Sequence, residues 1–166
     1  MRRWITLCLP LLLLAALTAC AQTDTKQNPE TDSPPPKEEV APHEKDDTVT
    51  VSTAAELIRA IAPDVHIILK TGDYNFSALT EEEIESCGGY VRPDCLAYGE
   101  IAIYNAPGLI LEAEESGSVR LITENGYADV MTLTLCDGVV LKGLILGHEI
   151  EKGKCDADVL RIDTCE

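Results

Sequence analysis

Gly99-Glu-Ile-Ala-Ile-Tyr-Asn-Ala-Pro-Gly-Leu-Ile-Leu111 is followed thirty positions later by Asp129-Val-Met-Thr-Leu-Thr-Leu-Cys-Asp-Gly-Val-Val-Leu141. Set side by side, Ile101 meets Met131, Ile103 meets Leu133, Gly108 meets Gly138, Leu109 meets Val139 and Leu111 meets Leu141. A further round opens at Val159-Leu160-Arg161-Ile162, where Leu160 and Ile162 extend two of these apolar columns. Short alternating strands that recur at a fixed period bury their apolar face only against their neighbours, which is the signature of a solenoid. The corner at 112–118 shrinks to Lys142-Gly143 in the next round, and Val119-Arg-Leu-Ile-Thr123 has its counterpart in Leu144-Ile-Leu146. Corners accept such changes because they point outward. Strands do not, because a one-residue slip turns the whole apolar column to solvent. The pattern predicts an all-β fold, a right-handed parallel β-helix of about three rounds over residues 48–166, with a small β-sandwich as the alternative.

Working outward, Thr48-Val49-Thr50-Val51 reads as a strand, and Thr53 with Glu56 forms a capping box that opens a short helix. Leu57, Ile58 and Ile61 give that helix one apolar side, and Pro63 ends it. Its expected role is to cover the open end of the stack. Val65-His-Ile-Ile-Leu69 is the next strand; counting back 36 positions from Ile101, Ile103 and Gly108 lands on Val65, Ile67 and Gly72, which reads as the first round. Residues 77–98 are then an insertion, with a second capping box at Thr80 and Glu83. Cys87 and Cys95 bracket turn residues within it and are the expected local disulfide.

Composition narrows the function. The chain of 166 residues carries 29 acids against 13 Lys and Arg, a net charge of −16. An acidic surface of that size repels nucleic acid, so no nucleic-acid partner is expected. Nucleophile motifs, phosphate-cradling glycine loops and basic aromatic patches are absent from the sequence. No catalytic residue, cofactor or metal site is therefore assigned. Two metal ideas fail on pattern. His148-Glu149 with Cys155 and Asp156 match no structural zinc spacing. Asp129, Asp137, Asp156, Asp158 and Asp163 are spread over separate corners without a calcium loop. Aromatics are few, so a sugar-stacking platform is poorly supplied, though Tyr90, Tyr98, Tyr104 and Tyr127 could contribute to one for a carbohydrate ligand.

The first residues are a leader. Met1-Arg2-Arg3 is basic, an apolar run follows from Trp4, and Leu17-Thr18-Ala19 closes it with a small residue before Cys20. This layout reads as a secretory signal over 1–19. Arg2-Arg3 alone falls short of a twin-arginine signal. The cysteine directly after Leu-Thr-Ala resembles the lipobox of bacterial lipoproteins, and that resemblance implies cleavage before Cys20 and a lipid on its sulfur. Loss of Arg2 and Arg3 leaves 11 bases against 29 acids, a net charge of −18. Residues 20–47, polar and charged with Pro34-Pro35-Pro36, read as a disordered acidic, proline-rich tether containing a solvated His43. The membrane is then a partner through lipid on Cys20, and the location is the cell envelope.

Five of the seven cysteines remain after Cys8 leaves and Cys20 is lipidated. Cys136 and Cys165 occupy equivalent places on successive rounds, a spacing within the range of a disulfide, and are expected to stack as small buried apolar groups, with the disulfide as the alternative and Cys155 left over.

The opening Val51-Ser-Thr-Ala-Ala-Glu-Leu-Ile-Arg-Ala-Ile61, the strand and turn Ile67-Ile-Leu-Lys-Thr-Gly-Asp-Tyr74 and the two repeated rounds resemble the right-handed parallel β-helix superfamily that includes pectate lyases. The resemblance covers residues 48–166 and rests on patterns of hydrophobicity and glycine. Members of that superfamily run for many rounds and carry their active sites on the outer face of the middle ones. The expectation for this chain is therefore an N-terminal piece of a longer stack, or one that self-associates through its last round. As a functional expectation, the sequence supports a lipid-anchored extracytoplasmic structural or glycan-binding module without catalytic residues. The alternative is the N-terminal part of a polysaccharide lyase or glycoside hydrolase whose catalytic rounds lie beyond residue 166.

Overall fold

The computed structural model describes residues 47–150 and 154–166. The expected signal segment, Cys20, His43 and the tether up to residue 46 lie outside the described residues. No helix among those described is long and apolar enough to cross a membrane.

The fold is mostly strands in parallel sheets, with few helices. Ten strands run β1 (Thr48–Val51), β2 (His66–Leu69), β3 (Gly72–Asn75), β4 (Ile101–Tyr104), β5 (Ile110–Ala113), β6 (Val119–Thr123), β7 (Met131–Thr134), β8 (Val140–Lys142), β9 (Leu144–His148) and β10 (Leu160–Asp163). They form three sheets, ordered β1-β2-β5-β8, β3-β6-β9 and β4-β7-β10. Every ladder between them is parallel. The sandwich alternative called for antiparallel ladders joined by hairpins, and is set aside on that ground. A parallel ladder needs a crossover between its strands; the crossover from β1 to β2 is α1, and each later one supplies strands to the other two sheets.

The columns read from the sequence are present as registers. Ile101 and Leu160 flank Met131, Ile103 and Ile162 flank Leu133, and Leu111 pairs with Leu141. Ile101, Leu109, Leu111, Val119, Leu121 and Met131 are fully buried between the sheets. Each apolar side chain of this size removed from water contributes roughly 1.5–3 kcal/mol. Tyr74 is also fully buried, and its hydroxyl donates to the carbonyls of Val51, at 2.9 Å, and Lys70, at 3.1 Å. The phenol thus brings its own polar atom into the core already satisfied.

The first round is placed differently from the count of 36. His66–Leu69 pairs with Ile110–Ala113, an offset of 44, so β2 belongs with β5 and not with β4. The turn column before these strands is Asp64, Gly108 and Gly138, all left-handed with φ of 55°, 68° and 66°. Gly72 lies in β3 instead, paired with Val119. Aspartate is among the few residues that tolerate the left-handed region, so here the column's glycine is an Asp. Alternating strands in all three sheets carry the same apolar signature, which leaves the count free to slip from one sheet to another.

The helix α1 (Ala54–Ala60) follows β1, with Leu57 and Ile58 fully buried. Thr53 caps it by accepting from the Glu56 N–H at 3.1 Å. Glu56 returns the bond to Ser52, one residue before the cap, accepting from its N–H at 2.7 Å and its hydroxyl at 2.9 Å. The segment at 77–98 holds α2 (Glu81–Glu85), with both arms of the Thr80–Glu83 capping box, and α3 (Pro93–Leu96). It packs more tightly than a surface loop does. Val91 and Leu96 are buried, and the Gly88 N–H donates to the Ile58 carbonyl at the end of α1. Arg92 N–H donates to Ala102 and Tyr104 N–H to Tyr90, forming an antiparallel bridge between Val91 and Ile103. The segment therefore covers the edge of β4 that no strand pairs, which α1 alone leaves open.

Candidate ligand-binding groove

In a strand, alternate side chains point to opposite faces. The outer face of the β4-β7-β10 sheet therefore carries two rows, Ala102-Thr132-Arg161 and Tyr104-Thr134-Asp163, in register across the three strands. The 77–98 segment, bridged to β4, stands beside these rows as a wall. Together they enclose a groove of about 620 Å³ whose wall residues include Arg92, Asp94, Cys95 and Glu100. Leu135 closes one end; it is half exposed and left-handed, with φ of 54°.

Both arginines of the groove are already engaged. Arg92 grips Asp94 with two nitrogens, at 3.0 and 3.3 Å. That pairing holds the Asp94 carboxyl below the usual range and raises the guanidinium above its own. Arg161 Nε lies 3.0 Å from Asp129, whose side chain is only 6% exposed, and its Nη2 lies 3.6 Å from Asp158. Asp129 also accepts the Asp158 N–H at 2.8 Å. Glu100 and Asp163, by contrast, have no hydrogen-bond or ion-pair partner for their carboxylates among the described residues. Thr132 Oγ1 is buried and has no hydrogen-bond partner among the described residues. The groove thus offers one tyrosine ring, a threonine hydroxyl at Thr134 and two unengaged carboxylates.

The five described cysteines carry free thiols. Cys95 lines the groove, half-buried, and Cys87 contacts the Val91 carbonyl through sulfur at 3.7 Å. Burial pushes both thiols up, with the Glu100 and Asp94 carboxylates adding to the effect at Cys95. Cys136 is buried and Cys165 half-buried. Each sulfur faces the carbonyl two residues earlier and one on the neighbouring strand of the sheet: Thr134 and Ile103 for Cys136, Asp163 and Leu133 for Cys165. The two side chains are thus oriented alike, one strand apart. Cys155 is exposed.

The remaining candidates disperse. His148 Nε2 lies 2.9 Å from the Ala128 carbonyl, and His66 Nε2 lies 3.0 Å from Glu112. Among the described residues no cluster of three or more His, Cys, Asp or Glu is placed to hold a metal ion. Of the tyrosines, Tyr104 faces the groove, Tyr90 packs against the core, and Tyr98 and Tyr127 stand out at 69% and 79% exposure. Asn125 ties the last two together, donating to the Tyr98 carbonyl at 3.0 Å and accepting from the Tyr127 N–H at 3.0 Å. Sequence reasoning did not single out Thr134, Arg161 or Glu100; the alternation of β7 and β10 held a signal for the first two. No protein-family model matches the chain, and neither the curated proteins nor the solved structures contain a match.

Proposed function

We propose that this chain is a lipid-anchored extracytoplasmic module built as a right-handed parallel β-helix, and that it binds glycan in the groove over β4, β7 and β10. The observation that carries the binding role is the groove itself. A tyrosine ring, a hydroxyl and two unengaged carboxylates line one open trough, and these are the groups that pack on a sugar face and accept hydroxyl protons from it. Three parallel sheets in continuous register support the β-helix reading, since successive rounds stack strand upon strand. The Leu-Thr-Ala-Cys20 sequence supports the anchor, and two or more acyl chains give stable membrane binding where one does not.

Two experiments test the reading. The full chain extracted from its own membranes and printed against a glycan array is expected to bind at least one oligosaccharide without degrading it. Turnover of the bound sugar overturns the non-catalytic role, and an empty array overturns the binding role. Replacing Cys20 with Ser is expected to move the protein from the detergent phase to the aqueous phase; retention in the detergent phase removes the anchor. Export into an oxidising compartment would also join Cys87 to Cys95, which mapping of non-reduced peptides detects directly.

A further inference from the structure

We infer that the groove takes a neutral glycan and discriminates against uronate polymers, an inference that rests on the glycan-binding reading above. The positive charge in the groove is already paired. A uronate carries a carboxylate on every residue, and a site for it needs guanidinium or ammonium groups free to meet those charges. The groove holds two guanidiniums. Arg92 is neutralised by Asp94 through two bonds in an exposed pair, so an anion drawn to it meets the Asp94 carboxylate as well, and Arg161 is held by the buried Asp129 with Asp158 behind it. Turning Arg161 toward a ligand would leave the Asp129 carboxylate, 6% exposed, without its countercharge, and a buried unpaired charge is strongly destabilising.

What remains is negative. Glu100 and Asp163 line the groove with unengaged carboxylates, and the chain around them carries 29 acids against 13 bases. A second carboxylate brought against these two meets like charge, whereas a neutral sugar meets acceptors for its hydroxyl protons. Thr134 supplies a donor and acceptor on the same row, between Tyr104 and Asp163 in register. Tyr104 is 41% exposed and lines the groove, within reach of a pyranose ring.

The experiment compares three probes on the full-length protein held in detergent: neutral cello- and manno-oligosaccharides, oligogalacturonate, and chitosan oligomers. A neutral oligosaccharide is expected to bind about tenfold or more tightly than oligogalacturonate at low salt. That ratio is expected to shrink as ionic strength rises, because exposed charges are screened. Replacing both acids, Glu100→Gln with Asp163→Asn, is expected to narrow the ratio by improving uronate binding. A fold check by circular dichroism accompanies the variant, and the salt series on the unmodified protein tests the charge argument without any substitution. Oligogalacturonate binding as tight as the neutral sugars overturns the inference and leaves the glycan reading standing. Binding of chitosan alone overturns it as well, since a cationic sugar is then the ligand. Failure of every probe overturns the glycan reading and this inference with it.

Discussion

The carboxylate of Asp129 accepts a hydrogen bond from the backbone N–H of Asp158 at 2.8 Å, and each of the two stands two places before the paired residues Met131 of β7 and Leu160 of β10. The contact recurs beyond the other end of β7, where Asp137 accepts from the Glu166 N–H at 2.9 Å. Aspartates that look in the sequence like a solvated acidic surface therefore tie the corners flanking β7 to those flanking β10. They satisfy backbone donors at corners, where the sheet ladders have ended.

The first prediction follows from that tie. Asp129→Ala leaves the Asp158 N–H and the Arg161 guanidinium without their shared partner. A hydrogen bond to a charged group contributes about 1.5–3 kcal/mol, so urea unfolding is expected to show a loss of about 2 kcal/mol. Asp129→Asn keeps an acceptor oxygen and is expected to lose less. Equal losses from both variants would place the effect in the ion pair with Arg161 and not in the tie.

A second prediction concerns the left-handed column Asn105, Leu135 and Thr164, with φ of 52°, 54° and 55°. Asparagine is at ease there; a leucine pays roughly 1–2 kcal/mol for its Cβ. Leu135 is 52% exposed, so little burial is lost on replacing it. Leu135→Asn is expected to raise stability by about 1 kcal/mol. The reverse is expected at Gly108, which has φ of 68° and whose added Cβ would meet the Asp64 carboxylate at 2.6 Å. Gly108→Ala combines backbone strain with that clash and is expected to destabilise. Denaturant midpoints of the two variants should move in opposite directions.

How much of this was legible can be judged from particular residues. Ile101, Met131 and Leu160 announce their column because strand side chains alternate strictly and the interval is nearly constant. Leu57 and Ile58 announce the buried side of α1 for the same kind of reason. Asp64 hides its column, because the residue that reveals such a turn in sequence is glycine and here an aspartate fills the place. The role of 77–98 was also hidden. Its bridge from Val91 to Ile103 and its seat on the Ile58 carbonyl are long-range backbone contacts, which no local pattern encodes. Half the groove shared that fate: Thr134 and Asp163 face outward by alternation, while Arg92, Asp94 and Cys95 reach it only through the inserted wall.

A third prediction tests the one buried side-chain oxygen that has no partner among the described residues, Thr132 Oγ1. An unsatisfied buried hydroxyl costs about 1–3 kcal/mol, and an apolar group of the same shape avoids that cost. Thr132→Val is near-isosteric and keeps a β-branched residue in the strand. It is expected to raise the unfolding free energy by about 1 kcal/mol. A loss of stability would mean that the hydroxyl has a partner in solution, such as a bound water.

The last prediction concerns acid. Glu112 accepts from Lys142 Nζ at 2.5 Å and lies 3.0 Å from His66 Nε2, joining β2, β5 and β8 across their outer face. The Lys142 bond, helped by His66, holds its carboxyl below the ordinary value of 4.5. A carboxylate depressed in the folded state stabilises the fold above its unfolded value, and that contribution is lost as pH falls through the folded one. Glu56 and Glu83 are lowered in the same sense by their Ser52 and Thr80 bonds and act in the same window. Acidification also relieves repulsion across a surface of net charge −16, which opposes the loss. The informative measurement is therefore a difference. Urea midpoints of the unmodified chain and of Glu112→Gln, followed from pH 7 downward, are expected to converge below pH about 4.5. A gap that stays constant with pH would show that the carboxylate charge contributes nothing and that only packing was changed.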